Sequence, residues 1–226
     1  MVTVLGFDCA GRGCAAAVLA EERVLASRSE PMERGQAAAL LPLVRATLEA
    51  AGLGLDAIDL LAVTVGPGAF TGVRIGLAAA RGLALATGLP LIGVTSFAAV
   101  AAAVPPARRA GRVLAIALDS KRAEIFLQCF AADGPAQGPG ALVSLDHADG
   151  IIPQGPVLVA GDAAEPLLSV LGGRGERVSG IGLPDPANVA RLARAQWRPG
   201  WRPAPPQPVY LRAPDTTPPR RAGTMR

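Results

Sequence analysis

Residues Val63 to Leu89 read VTVGPGAFTGVRIGLAAARGLALATGL, and this stretch sets the frame for the rest of the chain. Just upstream, Asp59-Leu-Leu-Ala-Val-Thr-Val65 is a short run of Leu and Val, the pattern of a buried strand. Gly66-Pro67-Gly68 breaks it: Pro67 has no amide hydrogen for a central ladder, and the flanking glycines reach backbone angles closed to other residues. A helix is expected to start near Thr71, whose hydroxyl can cap it, and to stop at Gly88 with Pro90 behind. Gly72 and Gly76, one turn apart, with Gly82 further along, would let another backbone pack closely against that helix.

Residues 66–84, GPGAFTGVRIGLAAARGLA, resemble the signature GPGSFTGxRxGxxxxxGLA of the TsaB (YeaZ) family. A second, shorter match is Pro208-Val-Tyr-Leu-Arg212, similar to the PxYLR near the end of that family's chains. Looser likeness covers roughly residues 1–215. The resemblance implies an α/β chain of the actin/hexokinase/Hsp70 superfamily, a ribonuclease H-like, actin-like two-lobe fold with mixed sheets. It also implies a function: a non-catalytic dimerisation subunit in threonylcarbamoylation of adenosine at N6, at the tRNA position next to the anticodon. Its implied partners are a TsaD-like catalytic subunit, met through the helices of the first lobe, and a small TsaE-like ATPase.

Composition narrows the classes independently. At 226 residues, half of them hydrophobic, the chain is long enough for a real core and too apolar to be disordered. The net charge of +4 is unevenly placed: residues 1–190 carry 14 basic and 17 acidic side chains, whereas residues 191–226 carry eight arginines and one acid. The basic end reads first as a solvated tail, disordered from Asp215, and second as an arm for tRNA phosphates. Cys9, Cys14 and Cys129 form no CxxC pair and suggest neither a disulfide framework nor a zinc site. The start, MVTVLGFD, runs directly into a strand with no basic and apolar leader, and the uncharged stretch 82–107 is interrupted by Gly, Pro, Thr and Ser. A cytoplasmic location away from membranes is the expectation.

Taken in order, Val2–Asp8, Cys14–Leu19 and Arg23–Arg28 read as a three-stranded meander. Between the first two lies Asp8-Cys-Ala-Gly-Arg-Gly13. Relatives with DTS there have two hydroxyls that this chain lacks, so Asp8 reads as a turn residue or relic ahead of a magnesium ligand. In 33–52, Leu40, Leu41, Val44 and Leu48 recur at helical spacing, with Pro42 expected to kink the helix or mark its first turn. Gln36 stands where the family usually has His, and the single histidine, His147, lies far away in a loop-like segment, so no HxxxH metal site is evident. Leu91–Val94 and a helix capped by Ser96 complete a first lobe over about residues 1–105. The second lobe, 106–198, is expected to hold a hairpin of 112–119 and 123–130, a strand 157–162 ending in Gly161-Asp162, and helices over 163–171 and 187–194. A Pro/Arg-rich tail, 199–226, follows.

Three functional classes compete. A scaffold subunit would use its first-lobe helices: Gln36, Leu40, Val44 and Leu48 on one, and Gly72, Val73, Arg74, Gly76, Leu77 and Arg81 on the other. The second helix is so apolar that its pattern selects no single interface face. The alternative is a metal- or ATP-dependent glycoprotease-like enzyme, which needs a constellation of catalytic groups that the sequence does not bring together. The third is a nucleotide- or tRNA-binding module at the strand–GPG–helix junction, which lacks the lysine and spacing of a P-loop. No catalytic, metal or intrinsic cofactor residue is assigned; ADP or ATP is expected only at an interface with partners. The same helix surface could serve self-pairing into a homodimer when the partner is absent.

Overall fold

The computed structural model describes residues 1–132 and 134–212. The stretch from Asp215 expected to be disordered lies outside those residues. Two five-stranded mixed sheets share one plan. The first has β1 (Thr3–Asp8), β2 (Gly13–Ala20), β3 (Arg23–Pro31), β4 (Leu60–Thr64) and β5 (Leu91–Val94), in the order β3-β2-β1-β4-β5. The second has β6 (Val113–Asp119), β7 (Glu124–Phe130), β8 (Ala141–Ser144), β9 (Val157–Ala160) and β10 (Gly175–Arg177), in the order β8-β7-β6-β9-β10. In each, the first three strands run antiparallel and the last two lie parallel beside the first.

Side-chain alternation along the central strands sorts the first core into two layers. Leu5, Phe7, Leu61 and Val63 face the layer of α1 (Gln36–Ala50) and α2 (Phe70–Thr87). Val4, Leu60 and Ala62 face the opposite layer, where α7 (Pro186–Gln196) contributes Val189, Ala190 and Ala193. Each fully buried Leu, Val or Phe among them stabilises the fold by roughly 1.5–3 kcal/mol. Gly6 is bare because α7 lies flush on β1: a Cβ there would sit 2.7 Å from the Pro186 carbonyl oxygen.

Helix α3 (Ser96–Ala102) lies between the sheets, with Ala99 in the first sheet's core and Phe97, Val100 and Ala101 against Leu114, Ile116 and Phe130 of the second. Its cap is Thr95, whose hydroxyl accepts from the Ala98 amide, one residue ahead of the expected Ser96. A one-turn α4 (Pro106–Arg109) follows, and α5 (Leu145–Ile151) and α6 (Ala164–Val170) cover the outer face of the second sheet. The segment around His147, expected as a loop, is helical, and Ser144 Oγ lies 2.8 Å from His147 Nδ1 in the first turn of α5. Helix α1 runs through Pro42 without ending there. None of the helices among the described residues is long and apolar enough to cross a membrane.

Candidate functional site

The GPG turn is seated on the β1–β2 hairpin. The Ala69 amide donates to the Ala10 carbonyl (2.9 Å), and Gly66 offers its own carbonyl to the Ser96 amide (2.8 Å). Helix α2 starts at Phe70, one residue earlier than expected, with Ala69 at its cap and no side-chain cap bond. Thr71 therefore lies inside the first turn and is exposed, so it has no helix start to cap. The close approach expected of Gly72 is real, but it is made to the chain's own backbone just beyond β1: a Cβ on Gly72 would stand 1.9 Å from the Cys9 carbonyl oxygen, whereas one on Gly76 would meet only ordinary contacts at 3.5 Å and beyond.

Asp8 ends β1 and is buried. It accepts from the Ala10 amide (3.0 Å), the Gly11 amide (3.3 Å) and the Thr64 hydroxyl. Burial pushes its carboxyl above the ordinary 3.8, against the pull of those bonds. Asp8 thus closes the hairpin turn. Folding raises this pKa, so the group's contribution to stability is complete below its unfolded value near 4 and falls away as pH rises toward the folded value. An Asp8→Asn chain lacks that decline. Between about pH 4 and pH 8 the difference in Tm is expected to move in favour of the variant; thermal melts across this range check it, and a constant difference would contradict the assignment.

Across from this turn, β6 and β9 bring Asp119 and Asp162 to the interlobe cleft. Asp162 Oδ1 accepts from the Asp119 amide (2.8 Å), and its own pKa is raised by burial. Burial works against the Asp119 charge, but the Lys121 side chain (2.6 Å), the Lys121 amide and Arg12 (3.2 Å) together hold its pKa below the ordinary value. The Arg12–Asp119 pair joins the two lobes across the cleft. What remains between Gly11, Gly68, Ser96, Asp162 and Leu183 is a cavity of about 20 Å³, room for one water. A ligand of nucleotide size needs some hundreds of Å³, so the lobes would have to part to admit one. Among the described residues no group of three or more His, Cys, Asp or Glu side chains is placed to hold a metal.

The C-terminal segment supplies contacts that the sequence did not advertise. It crosses from the first lobe to the second as a strap. The Val209 amide donates to the Val65 carbonyl at the GPG turn (2.8 Å). Arg74 Nε donates to the Tyr210 hydroxyl (2.9 Å) while its guanidinium lies 3.8 Å over the Phe70 ring. Arg81 donates to the Pro206 carbonyl (2.6 Å), and Arg212 pairs with Glu124 on β7 (2.8 Å).

This resorts the ten residues expected at a partner interface. Leu40, Val44, Leu48, Gly72, Val73, Gly76 and Leu77 are buried in the chain's own core: the apolar side chains among them face the sheet, and the two glycines lie on the side of α2 that packs on the first lobe's own backbone and side chains. Gln36 is half-buried, its amide donating to the Met32 carbonyl (3.3 Å). Arg74 and Arg81 are exposed but engaged by the strap. The outward faces are different: Leu41, 49% exposed, beside Pro42 on α1, and Ala78, Gly82 and Leu85 at helical spacing on α2, with Leu85 88% exposed.

Two mixed sheets of identical order, each layered with helices and facing each other across a cleft, define an actin-like ATPase fold. The (R)-2-hydroxyglutaryl-CoA dehydratase component A of Acidaminococcus fermentans shares it at a TM-score of 0.52 with 8% identity, over 87% of this chain and 99% of that one. Within the fold, YeaZ from Pseudomonas aeruginosa superposes at a TM-score of 0.80 with 30% identity, over 93% of this chain and 100% of that one. The Escherichia coli tRNA threonylcarbamoyladenosine biosynthesis protein TsaB is 38% identical over 123 residues, 54% of this chain and 52% of that protein. The match thus spans about half the length of that curated relative. A family model described as TsaD, tRNA N6-adenosine threonylcarbamoyltransferase, matches residues 28–133. The chain belongs to the TsaB (YeaZ) family.

Proposed function

We propose that this chain is the non-catalytic subunit of a cytoplasmic machinery for threonylcarbamoyladenosine in tRNA, and that it works by binding and supporting a TsaD-like catalytic subunit. The observation that carries this reading is the outward face of α1 and α2. Leu41, Ala78, Gly82 and Leu85 present apolar side chains and bare backbone to solvent, and a Cβ on Gly82 would meet nothing within 4 Å. A mid-helix glycine costs about 0.5–1 kcal/mol relative to alanine. With no internal neighbour requiring it, Gly82 suits the close approach of another chain's helix. The closed cleft argues in the same direction, since catalysis on a nucleotide there would first require the Arg12–Asp119 pair to separate. Any ADP or ATP is then held at an interface with partners, among them a TsaE-like ATPase. The same apolar face serves a homodimer when the partner is missing, and tRNA is met indirectly or through the arginine-rich end.

The test is co-purification with the TsaD-like protein of the same organism, sized by light scattering. A one-to-one complex is expected, with no adenosine modification by this chain alone. Leu41→Glu and Leu85→Glu should each weaken pairing by about 30-fold or more, because a charge would be buried in an apolar contact. Both side chains are exposed in the free chain, so its Tm should stay within about 1–2 °C. Full-strength pairing by both variants would sink the assignment of this face, and turnover of ATP by the isolated chain would favour the enzyme reading.

A further inference from the structure

Two of the three cysteines meet inside the first lobe. Asp8 faces Ala15 in the last pair of the β1–β2 ladder, and Cys9 and Cys14 are the residues immediately beyond that pair on the two sides of the hairpin. Their sulfurs lie 3.2 Å apart, and both residues are buried, at 1% and 2% exposure. Directly opposed antiparallel residues have Cα separations of about 4.5–5.5 Å, inside the roughly 4.4–6.8 Å range of disulfides. The hairpin therefore holds the two thiols where a covalent bond needs only a small further approach.

We infer that Cys9 and Cys14 form a dithiol modification site, closed to an intramolecular disulfide by exchange with a small external disulfide such as oxidised glutathione. The order of reaction follows from the surroundings. Burial raises the pKa of both thiols, and the Cys9–Cys14 hydrogen bond favours a thiolate on Cys14 over one on Cys9. Cys14 lies under the first turn of α1, with its sulfur 3.7 Å from the Gln36 carbonyl oxygen. That turn begins at Gly35 with no side-chain cap and no acidic residue, so its first amides have no side-chain partner and the turn can fray. Fraying admits the reagent. The Cys14 thiolate attacks one sulfur of the external disulfide and expels one thiolate, leaving a mixed disulfide on Cys14. The Cys9 thiolate then attacks the Cys14 sulfur and expels the second. Two protein thiols lose two protons and two electrons, and the external disulfide takes up both to become two thiols.

The experiment equilibrates the full chain, carrying Cys129→Ser, in glutathione buffers of graded ratio, with and without unfolding urea. After acid quenching and maleimide alkylation, intact mass counts the free thiols and any bound glutathione. The folded chain is expected to lose both alkylation sites together, without retained glutathione. Its disulfide should form with an equilibrium constant about tenfold or more above that in urea, since the fold pre-positions the sulfurs. Cys9→Ser should stop the reaction at a mixed disulfide on Cys14. A folded chain that keeps both thiols, or holds glutathione without resolving it, overturns the inference, and so does a pair that closes only in urea. The wild-type pair alone decides these outcomes if the serine variant fails to fold.

Discussion

Replacing Gly72 with valine is expected to lower Tm by about 6–12 °C, equivalent to a loss of roughly 3 kcal/mol or more. The Cβ alone would fall 1.9 Å from the Cys9 carbonyl oxygen, and that oxygen belongs to backbone, which cannot swing aside as a side-chain tip can. Relief requires α2 to lift from β1, and lifting it uncovers Val73, Leu77 and Ala80, which are all buried. Gly82→Ala on the same helix is the internal reference. Its new methyl meets nothing within 4 Å, and the helix gains about 0.5–1 kcal/mol. Thermal or urea unfolding of the pair separates the two glycines by sign. Equal behaviour would mean that α2 does not sit on the hairpin as described.

A chain ending at Ala204, compared with one ending at Arg212, is expected to lose about 2–4 kcal/mol and some 5–10 °C in Tm. The loss is not dominated by the charged ends. Arg212 and Glu124 are both partly exposed, and such pairs contribute only about 0–1 kcal/mol. It comes from the half-buried Val209 and Leu211, which pack on the first and second lobes respectively, and from the Val209–Val65 hydrogen bond beside the GPG turn. Gly93 adds a packing argument, because a Cβ there would meet Pro206 at 2.6 Å. Unchanged unfolding of the shorter chain would show that the strap merely rests on the surface. The strap also bears on Arg74→Glu and Arg81→Glu. Those changes cut contacts to Tyr210 and Pro206, so they test the strap as well as any partner.

The cysteine pair and the helix faces of α1 and α2 show where reading a chain in one dimension stops. Five positions separate Cys9 from Cys14, a spacing with no meaning for a helix or a metal knuckle, and it acquires meaning only because a hairpin turns between them. Apolar periodicity finds Leu40, Val44, Leu48, Val73 and Leu77, but the strongest periodic signal belongs to the core face. Leu41 shares the helical spacing of its buried neighbours and Leu85 lies among apolar residues on every side of α2, so spacing alone does not single either out as exposed. Their exposure is visible only when the sheet has taken its side of each helix.

The sequence by itself determined the order of strands and helices through the first lobe, the break at Gly66-Pro67-Gly68, the family through residues 66–84, and the lack of an HxxxH pair for a metal. These are properties of local conformation and residue chemistry, which the chain carries at every position. The tertiary structure alone decided that α7, last of the described helices, returns to cover the first sheet, that α3 serves both cores, and that Arg12 and Asp119 pair across the cleft. It also decided that Arg74, Arg81 and Arg212 belong to a strap, joining residues up to 136 positions apart. Contacts at such separations depend on which surfaces the sheets leave uncovered, and no local pattern records that.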